Sequence, residues 1–391
     1  MLSPYFIILS LSTLMDSCIA QMDQLNDDSL PYQYYSSNPR TSWPWSPQFE
    51  LWYPDHREFL ANVSEGICNL TLRDYRTAYQ SPRGSPEALK MLSICYRHEA
   101  CILSQYPPNF QANAQGASVA LGFIPALLSA SIGPSISEIY LLSIHRPFLA
   151  MLITLGSPAY QISKPFEYQH PGKVLLAEDG QLQISVSSKG YAILLCSFEY
   201  FFALLAAGNV LFTTVEMGHK AILAWGCTTQ FGPLLWTVFA LVPQFLVMGG
   251  HAIMSRSTDT KRRPKQPNGE HKSRLKKLLA TFQKNFKASA VKILDIIKKE
   301  TTVCANQELR RGVAGNPPLL EVFLNMVAQG MCVVLWCFGV SMFPSMLFMT
   351  VRDVFVHIFS PLFFSAIFCR IVLIIELAGL RYVKNQKPAT V

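Results

Sequence analysis

Two charged residues inside long apolar segments are the strongest candidates for chemistry in this sequence. Glu199 lies about nine residues from one end of its segment, and Arg370 lies about ten from the matching end of the last segment. At a rise of about 1.5 Å per residue the two side chains would sit at similar depths. Because neither charge is tolerated alone in hydrocarbon, the sequence predicts a buried Glu199–Arg370 ion pair. Such a pair either fastens two helices or binds a substrate or proton, and the first role is favoured where no further polar neighbours form a pathway.

Sequence signatures of known catalysis are missing. The chain contains no phosphate-binding loop, no dinucleotide fingerprint, no H-E-x-x-H, no G-x-S-x-G and no C-x-x-C. We therefore predict no catalytic residue, cofactor or metal. Whether the protein is an enzyme stays open, with a non-enzymatic role favoured.

The composition indicates a membrane protein. Of 391 residues, 50% are hydrophobic and only 15% are charged, whereas soluble proteins carry about 25% charged residues. A helix needs about twenty apolar residues to cross a bilayer. Five segments satisfy this: 117–135, 191–212, 221–248, 319–350 and 354–380. The predicted fold is an all-α integral membrane protein with about five transmembrane helices and a small disulfide-containing N-terminal domain on the lumenal or extracellular side.

The first 116 residues have the features of a secreted region. Residues 1–20 have a short apolar core followed by small residues, which predicts a signal peptide, with an uncleaved anchor as the alternative. Region 21–116 then faces the lumen or the exterior, where sequons at Asn62 and Asn69 would be glycosylated. Cys68, Cys95 and Cys101 are disulfide candidates, of which one is left over unless it bridges another chain. Five later cysteines are predicted to be apolar fillers within spans: Cys196, Cys227, Cys332, Cys337 and Cys369.

Basic residues predict the orientation. Sixteen of the Lys and Arg residues lie between Ser255 and Gly312, against five acidic residues, and cytoplasmic loops are enriched in Lys and Arg. Loop 255–316 is therefore predicted to be cytosolic. Counting spans outward places loop 136–190 and tail 381–391 on the same side and the sequons on the other. The predicted location is the secretory pathway, with the plasma membrane favoured.

A further apolar segment, 135–158, does not fit a simple span. It contains Glu138, His145 and Arg146, and Pro147 lies near its middle. A charge at the bilayer centre costs about 2.5–3.5 kcal/mol even on lenient scales. We therefore predict a re-entrant or interfacial helix, with spanning as the alternative. Ser135 and Glu138 match the capping box that begins a helix.

The cytosolic loop contains a strongly amphipathic stretch at 273–300. Its apolar and basic residues fall on opposite sides at 100° per residue. Phe282 and Phe286 lie on the apolar side, and the basic side includes Lys276, Lys277, Lys284 and Lys287. The pattern predicts a helix that binds anionic lipid at the bilayer surface or a helix-binding protein. Nucleic acid is not a predicted partner, since no binding module is present.

The stretch "GPSISEIYLLSIHRPFLAMLITLGSPAY", residues 133–160, resembles polytopic membrane proteins of filamentous fungi for which no activity is assigned. The resemblance covers about thirty residues and implies no functional residues. Three functions remain open. A non-enzymatic membrane adaptor or receptor-like protein is favoured, a transporter or channel subunit using Glu199 and Arg370 is second, and an intramembrane enzyme is third.

Overall fold

The computed structural model describes residues 47–82, 85–162, 188–250, 300–306 and 319–386. The predicted signal peptide and the chain up to residue 46 lie outside these ranges. So do the tail beyond residue 386 and all of the predicted helix 273–300 except Glu300. Predictions for Lys276, Lys277, Phe282, Lys284, Phe286 and Lys287 therefore stay predictions.

Residues 47–106 form a small N-terminal helical domain. Its elements are a 3-10 turn at Pro54–His56, α1 at Arg57–Asn62, a π turn at Val63–Ile67, α2 at Asn69–Gln80, α3 at Pro86–Leu89 and α4 at Met91–Ser104. Leu60, Leu72 and Ile102 are fully buried in its core. A Cys68–Cys101 disulfide joins the start of α2 to α4.

The rest of the described chain is a helical bundle. Its elements are α5 at Pro108–Ser131, α6 at Ile136–His145, α7 at Pro147–Gly156, α8 at Lys189–Lys220, α9 at Gly232–Phe239, α10 at Leu319–Met342, α11 at Val351–Asp353 and α12 at Ser360–Gln386. A 3-10 turn at Phe343–Ser345 and a π turn at Val354–Phe359 connect the later helices, and another 3-10 turn covers Cys304–Asn306.

Five of these helical stretches are long and apolar enough to cross a membrane. They are Pro108–Ser131, Gly190–Lys220, Gly232–Gly250, Leu319–Ser345 and Val351–Tyr382. The prediction of an all-α integral membrane protein with about five such helices is confirmed. We call the end of the bundle that contacts the N-terminal domain the domain end, and the opposite end the far end.

The third predicted span begins too early in the sequence-based assignment. Residues 221–231 form a loop, and the helix begins at Gly232, where Pro233 occupies the first turn. In this loop β1, Ile222–Leu223, pairs antiparallel with β2, Met346–Leu347. The pairing closes the domain end, because it joins the loop after α8 to the loop after α10.

The same loop corrects the prediction for Cys227. This cysteine is not an apolar filler: it forms a disulfide with Cys95, across 132 residues of chain. The third N-terminal cysteine is therefore paired within the chain and is not left over. The bond fastens α4 of the N-terminal domain to the domain end of the bundle.

Helices α6 and α7 form a hairpin enclosed by the bundle. Each has ten residues, a length of about 15 Å, which is half of what a bilayer requires. Every residue from Ile136 to Arg146 is buried. The open end of the hairpin is held together where Gln161 N donates to Pro134 O at 3.0 Å.

Gly156 shows how far the hairpin reaches into the bundle. A Cβ on this residue would lie 2.5 Å from Cys369 Sγ of α12 and 3.1 Å from Ala206 Cβ of α8. Ala206 is midway along α8, so the end of α7 lies at mid-bundle, between α8 and α12. The turn between α6 and α7 points from there toward the far end.

Candidate functional site

Arg146 occupies the tip of the hairpin. It ends α6 and precedes Pro147, the first residue of α7. Proline suits a first helical position because the missing N–H has no partner there anyway, so the Arg-Pro pair both stops one helix and starts the next. The Arg146 side chain is 0% exposed.

Two carboxylates share one nitrogen of this guanidinium. Arg146 Nη1 donates to Glu199 Oε2 of α8 and, at 2.7 Å, to Glu376 Oε1 of α12. Both glutamate side chains are also 0% exposed. Nη2 donates to Cys196 Sγ at 3.2 Å, and the guanidinium lies 5.0 Å from the centre of the Tyr200 ring. We call Arg146, Glu199 and Glu376 the buried triad.

The triad is not electrically balanced when all three groups are ionised. One guanidinium faces two carboxylates, which leaves one excess negative charge. Among the described residues, Glu199 Oε1 has no hydrogen-bond partner, whereas Glu376 Oε2 accepts from Cys304 N at 3.2 Å. A buried carboxylate without compensation is strongly unfavourable. A proton shared between the two carboxyl groups removes the excess charge.

The predicted Glu199–Arg370 pair is wrong. Glu199 pairs with Arg146, and Arg370 Nη1 pairs with Glu138 Oε2 of the hairpin at 2.7 Å. Glu376 of α12 is fully buried as well. The hairpin lies between α8 and α12 and supplies a partner to each.

Helix length explains the error in depth. The sequence suggested that the last span ends near Leu380, but α12 continues to Gln386. Glu199 lies ten residues from the far end of α8 (199 − 189) and Glu376 lies ten from that of α12 (386 − 376). Glu376 is thus level with Glu199, and Arg370 lies about 9 Å nearer the domain end.

The capping role predicted for Glu138 is confirmed. Ser135 Oγ accepts from Glu138 N at 3.2 Å, and Ser135 N donates to Glu138 Oε2 at 2.8 Å. The same Oε2 atom receives the Arg370 bond. Glu138 therefore starts α6 and also fastens it to α12.

A stripe of buried residues continues from the triad along α8. Its spacing alternates between three and four residues, which places all members on one face. The stripe consists of Glu199, Phe202, Ala206, Asn209, Thr213 and Glu216, all buried. Asn209 Nδ2 donates to Ser365 Oγ of α12 at 2.9 Å. Thr213 Oγ1 is buried and has no hydrogen-bond partner in the part of the chain that the structure describes. Polar groups therefore recur along the α8–α12 contact.

A second charged group lies where the stripe reaches the domain end. Lys220 Nζ bonds Glu216 Oε1 at 2.5 Å and lies 5.4 Å from the centre of the Tyr53 ring. Nearby, Asp55 Oδ2 accepts from Thr350 Oγ1 at 2.8 Å, and Asp55 Oδ1 pairs with Arg352 at 3.2 Å. The N-terminal domain thus contacts both the end of α8 and the start of the α11–α12 stretch.

The predicted glycosylation acceptors lie on the N-terminal domain. Asn62 and Asn69 are both exposed. The hydroxyls of their sequons are not: Ser64 Oγ lies 3.0 Å from His98 Nε2, and Thr71 Oγ1 lies 2.8 Å from His98 Nδ1. Burial, together with the nearby Arg76 charge, lowers the pKa of His98 to about 4, so the ring is neutral near pH 7.

The sequence contained signals for the residues that the predicted site omitted. Asn209, Thr213 and Glu216 follow one another at spacings of four and three residues, and Glu199 lies ten residues before Asn209. These spacings mark a polar helix face in an apolar segment. In the sequence alone, Arg146 argues only against a transmembrane span over its own segment. Its role required knowing that the hairpin enters the bundle, which depends on contacts distant in sequence.

Comparison with protein-family models, with curated proteins and with solved structures gives no match. Among the described residues, no group of three or more His, Cys, Asp or Glu side chains is placed to hold a metal ion.

Proposed function

We propose that the chain is a proton-coupled membrane transporter in an occluded conformation, with the buried triad as its proton site. A transporter that uses Glu199 and Arg370 was one of the functions left open by the sequence. In the proposed site, Arg146 and Glu376 take the place of Arg370. The observation that carries the proposal is the two-to-one ratio of carboxylates to guanidinium in a cluster that is 0% exposed.

The charge ratio supports proton exchange over a purely structural role. A structural ion pair needs one acid for one base, and Glu138 with Arg370 is such a pair. The triad has an additional carboxylate, which binds a proton when the cluster is closed and releases it when water enters. Ionisable groups within membrane helices that face the bundle interior recur in proton relays.

Interrupted helices at mid-bundle also support transport. The chain breaks between α5 and α6 at residues 132–135 and again after Gly156. The third span has a turn at Ala240, whose carbonyl accepts from Tyr160 OH at 2.8 Å. Transporters place substrate and ion sites at such breaks, where helix ends and free carbonyls meet.

The polar stripe of α8 supplies a route in the direction of the domain end. From Glu199, Asn209 is about 15 Å along the helix and Glu216 about 25 Å, at 1.5 Å per residue. The absence of polar neighbours favoured a structural role for the predicted pair. With Asn209 and Ser365 on the α8–α12 contact and Thr213 one turn further along the same face of α8, that objection no longer applies.

We further propose that the far end is cytosolic. The cationic loop 255–316 lies in the chain between Gly250, where the third span ends, and Leu319, where α10 begins at the far end. The exposed sequons lie at the domain end, which agrees with the positive-inside rule. A signal peptide at 1–20, N-glycosylation, a plasma-membrane location and binding of 273–300 to anionic lipid remain parts of this proposal.

Proton movement in proteoliposomes tests the function. A pH step applied to vesicles with an entrapped pH-sensitive dye should change the internal pH faster with the wild-type protein than in protein-free vesicles. Glu199→Gln and Glu376→Gln should abolish the difference, whereas Glu138→Gln, a buried carboxyl of the hairpin outside both the triad and the stripe, should retain most of it. Equal rates for wild-type and empty vesicles would exclude the proposal.

The adaptor or receptor-like function is the second candidate. It is favoured by the rigid attachment of the N-terminal domain through Cys95–Cys227 and through Asp55, since a ligand on that domain would act directly on α8 and α12. Affinity capture with a peptide of residues 273–300 tests it. Recovery of a specific protein supports it, and retention by anionic lipid alone counts against it.

A further inference from the structure

Residues 300–306 cover the buried triad at the far end of the bundle. Val303, Cys304 and Ala305 are consecutive buried residues. Val303 and Ala305 pack with Cys196 of α8, and Gly379 of α12 faces Ala305. The segment therefore fills the space between α8 and α12 just beyond the triad.

Polar contacts fasten this segment to the triad and to the hairpin. Cys304 N donates to Glu376 Oε2 at 3.2 Å. Glu300 Oε1 accepts from Phe148 N in the first turn of α7 at 2.5 Å, and Glu300 Oε2 accepts from Tyr200 OH. A carboxylate at a helix N-terminus is favourable because the free N–H groups and the helix dipole attract it.

We infer that residues 300–306 are a gate, which admits water to Arg146, Glu199 and Glu376 when it leaves its position between α7, α8 and α12. We call this position the seat. The gate regulates the proposed proton site and in that sense rests on the proposed function. Its seating against α7, α8 and α12 is a separate property that can be tested without measuring transport.

The seat tolerates little change in volume. A Cβ on Gly379 would lie 2.7 Å from Ala305 N and 3.0 Å from Ala305 Cβ, so Gly379→Ala forces the segment away. Gly208 of α8 has nothing within 4 Å of its Cβ position. Gly208→Ala is therefore a matched control, with the same change in another spanning helix but without a clash.

Native cysteines report on the gate. Cys304 is 0% exposed within it, Cys196 lies behind it against Arg146, and Cys369 is buried deeper, beside Gly156. Burial raises the pKa of the Cys304 thiol well above its ordinary value, which further slows its reaction with thiol reagents in the seated state.

The test is thiol labelling of the full-length protein in nanodiscs, where both faces are accessible. A membrane-impermeant maleimide is added, and the labelled peptides are quantified by mass spectrometry. Gly379→Ala and Glu300→Gln should each accelerate labelling of Cys304 and Cys196 by more than about tenfold, since reaction requires an accessible thiolate. Gly208→Ala should match the wild type, and Cys369 should stay unlabelled throughout.

Three results would overturn the gate. The first is wild-type Cys304 that reacts as fast as in the denatured protein. The second is Gly379→Ala that leaves Cys304 at the wild-type rate. The third is a combination of two observations. Gly379→Ala also exposes Cys369, which means that it opens the whole bundle, and Glu300→Gln fails to accelerate labelling. If labelling shows that the gate is in its seat but the protein moves no protons, the transporter proposal is rejected and the gate is retained.

Discussion

Arg146 and Glu376 form a 2.7 Å hydrogen bond between side chains that are both 0% exposed, although 230 residues separate them in the chain. The bond joins the tip of the α6–α7 hairpin to α12, the last helix of the bundle. Because Glu199 shares the same guanidinium nitrogen, three elements meet at one cation.

Removing the Arg146 side chain should destabilise the protein far more than removing the Arg370 side chain. Arg146→Ala leaves two buried carboxylates without a cation, and breaking a buried ion pair in this way costs about 3–5 kcal/mol. Arg370→Ala should cost less, since the Arg370 side chain is 28% exposed and Glu138 keeps its capping bond. Thermal unfolding in detergent measures both. An equal or larger loss for Arg370→Ala would contradict the assignment of the triad.

The disulfide pattern makes a second prediction. Peptide mapping without reduction should recover Cys68 linked to Cys101 and Cys95 linked to Cys227. Cys227→Ser should leave a reactive Cys95 thiol and lower stability by about 2–5 kcal/mol, the usual range for such a bond. Recovery of Cys95 linked to Cys68 or Cys101 would show that the domain is not tied to the bundle in this way.

The sequon hydroxyls allow sugar attachment to be separated from packing. Asn62→Gln removes only the acceptor, whereas Ser64→Ala removes the same sequon and also the bond to His98 Nε2. A buried group left without its partner costs about 1–3 kcal/mol. Ser64→Ala should therefore melt below Asn62→Gln, while both lose the same glycosidase-sensitive mobility shift. Equal melting temperatures would mean that the His98 contact contributes nothing.

Glu99 should make the N-terminal domain less stable as the pH rises. Burial raises its pKa from 4.5 to about 7, so the folded state retains the proton more strongly than the unfolded chain. Stability from this group is fully present below about pH 4.5 and is lost as the pH approaches 7. Glu99→Gln should match the wild type at pH 4.5 and exceed it above pH 7, by on the order of 2 kcal/mol.

Thermal unfolding of the full-length protein at several pH values measures this difference. His98 acts in the opposite direction, because its lowered pKa removes stability as the pH falls from about 6.5 to about 4. Comparing Glu99→Gln with the wild type at each pH cancels the His98 contribution. A constant difference across the range would contradict the role of Glu99.

Local signals predicted much of the fold, and tertiary contacts decided the rest. Apolar length gave the five spans, and the Ser135–Glu138 spacing gave the start of α6, since both depend on neighbouring residues. The pairing of Cys95 with Cys227 and of Arg146 with Glu376 depends on which distant helices pack together. The depth predicted for Arg370 was wrong because the sequence does not mark where the last helix ends. Helix α12 continues through a polar sequence to Gln386.

The central claim is that the buried triad holds a proton. Infrared spectroscopy of the purified protein observes this directly, through the carbonyl stretch of a protonated carboxyl group in a dry environment. Because buried Glu99, with a pKa of about 7, also retains a proton near neutral pH, the spectra are recorded in a Glu99→Gln background. We predict such a band there near neutral pH, lost when Glu199→Gln or Glu376→Gln is added and retained when Glu138→Gln is added. A spectrum in which neither triad substitution removes a protonated-carboxyl band would contradict the account.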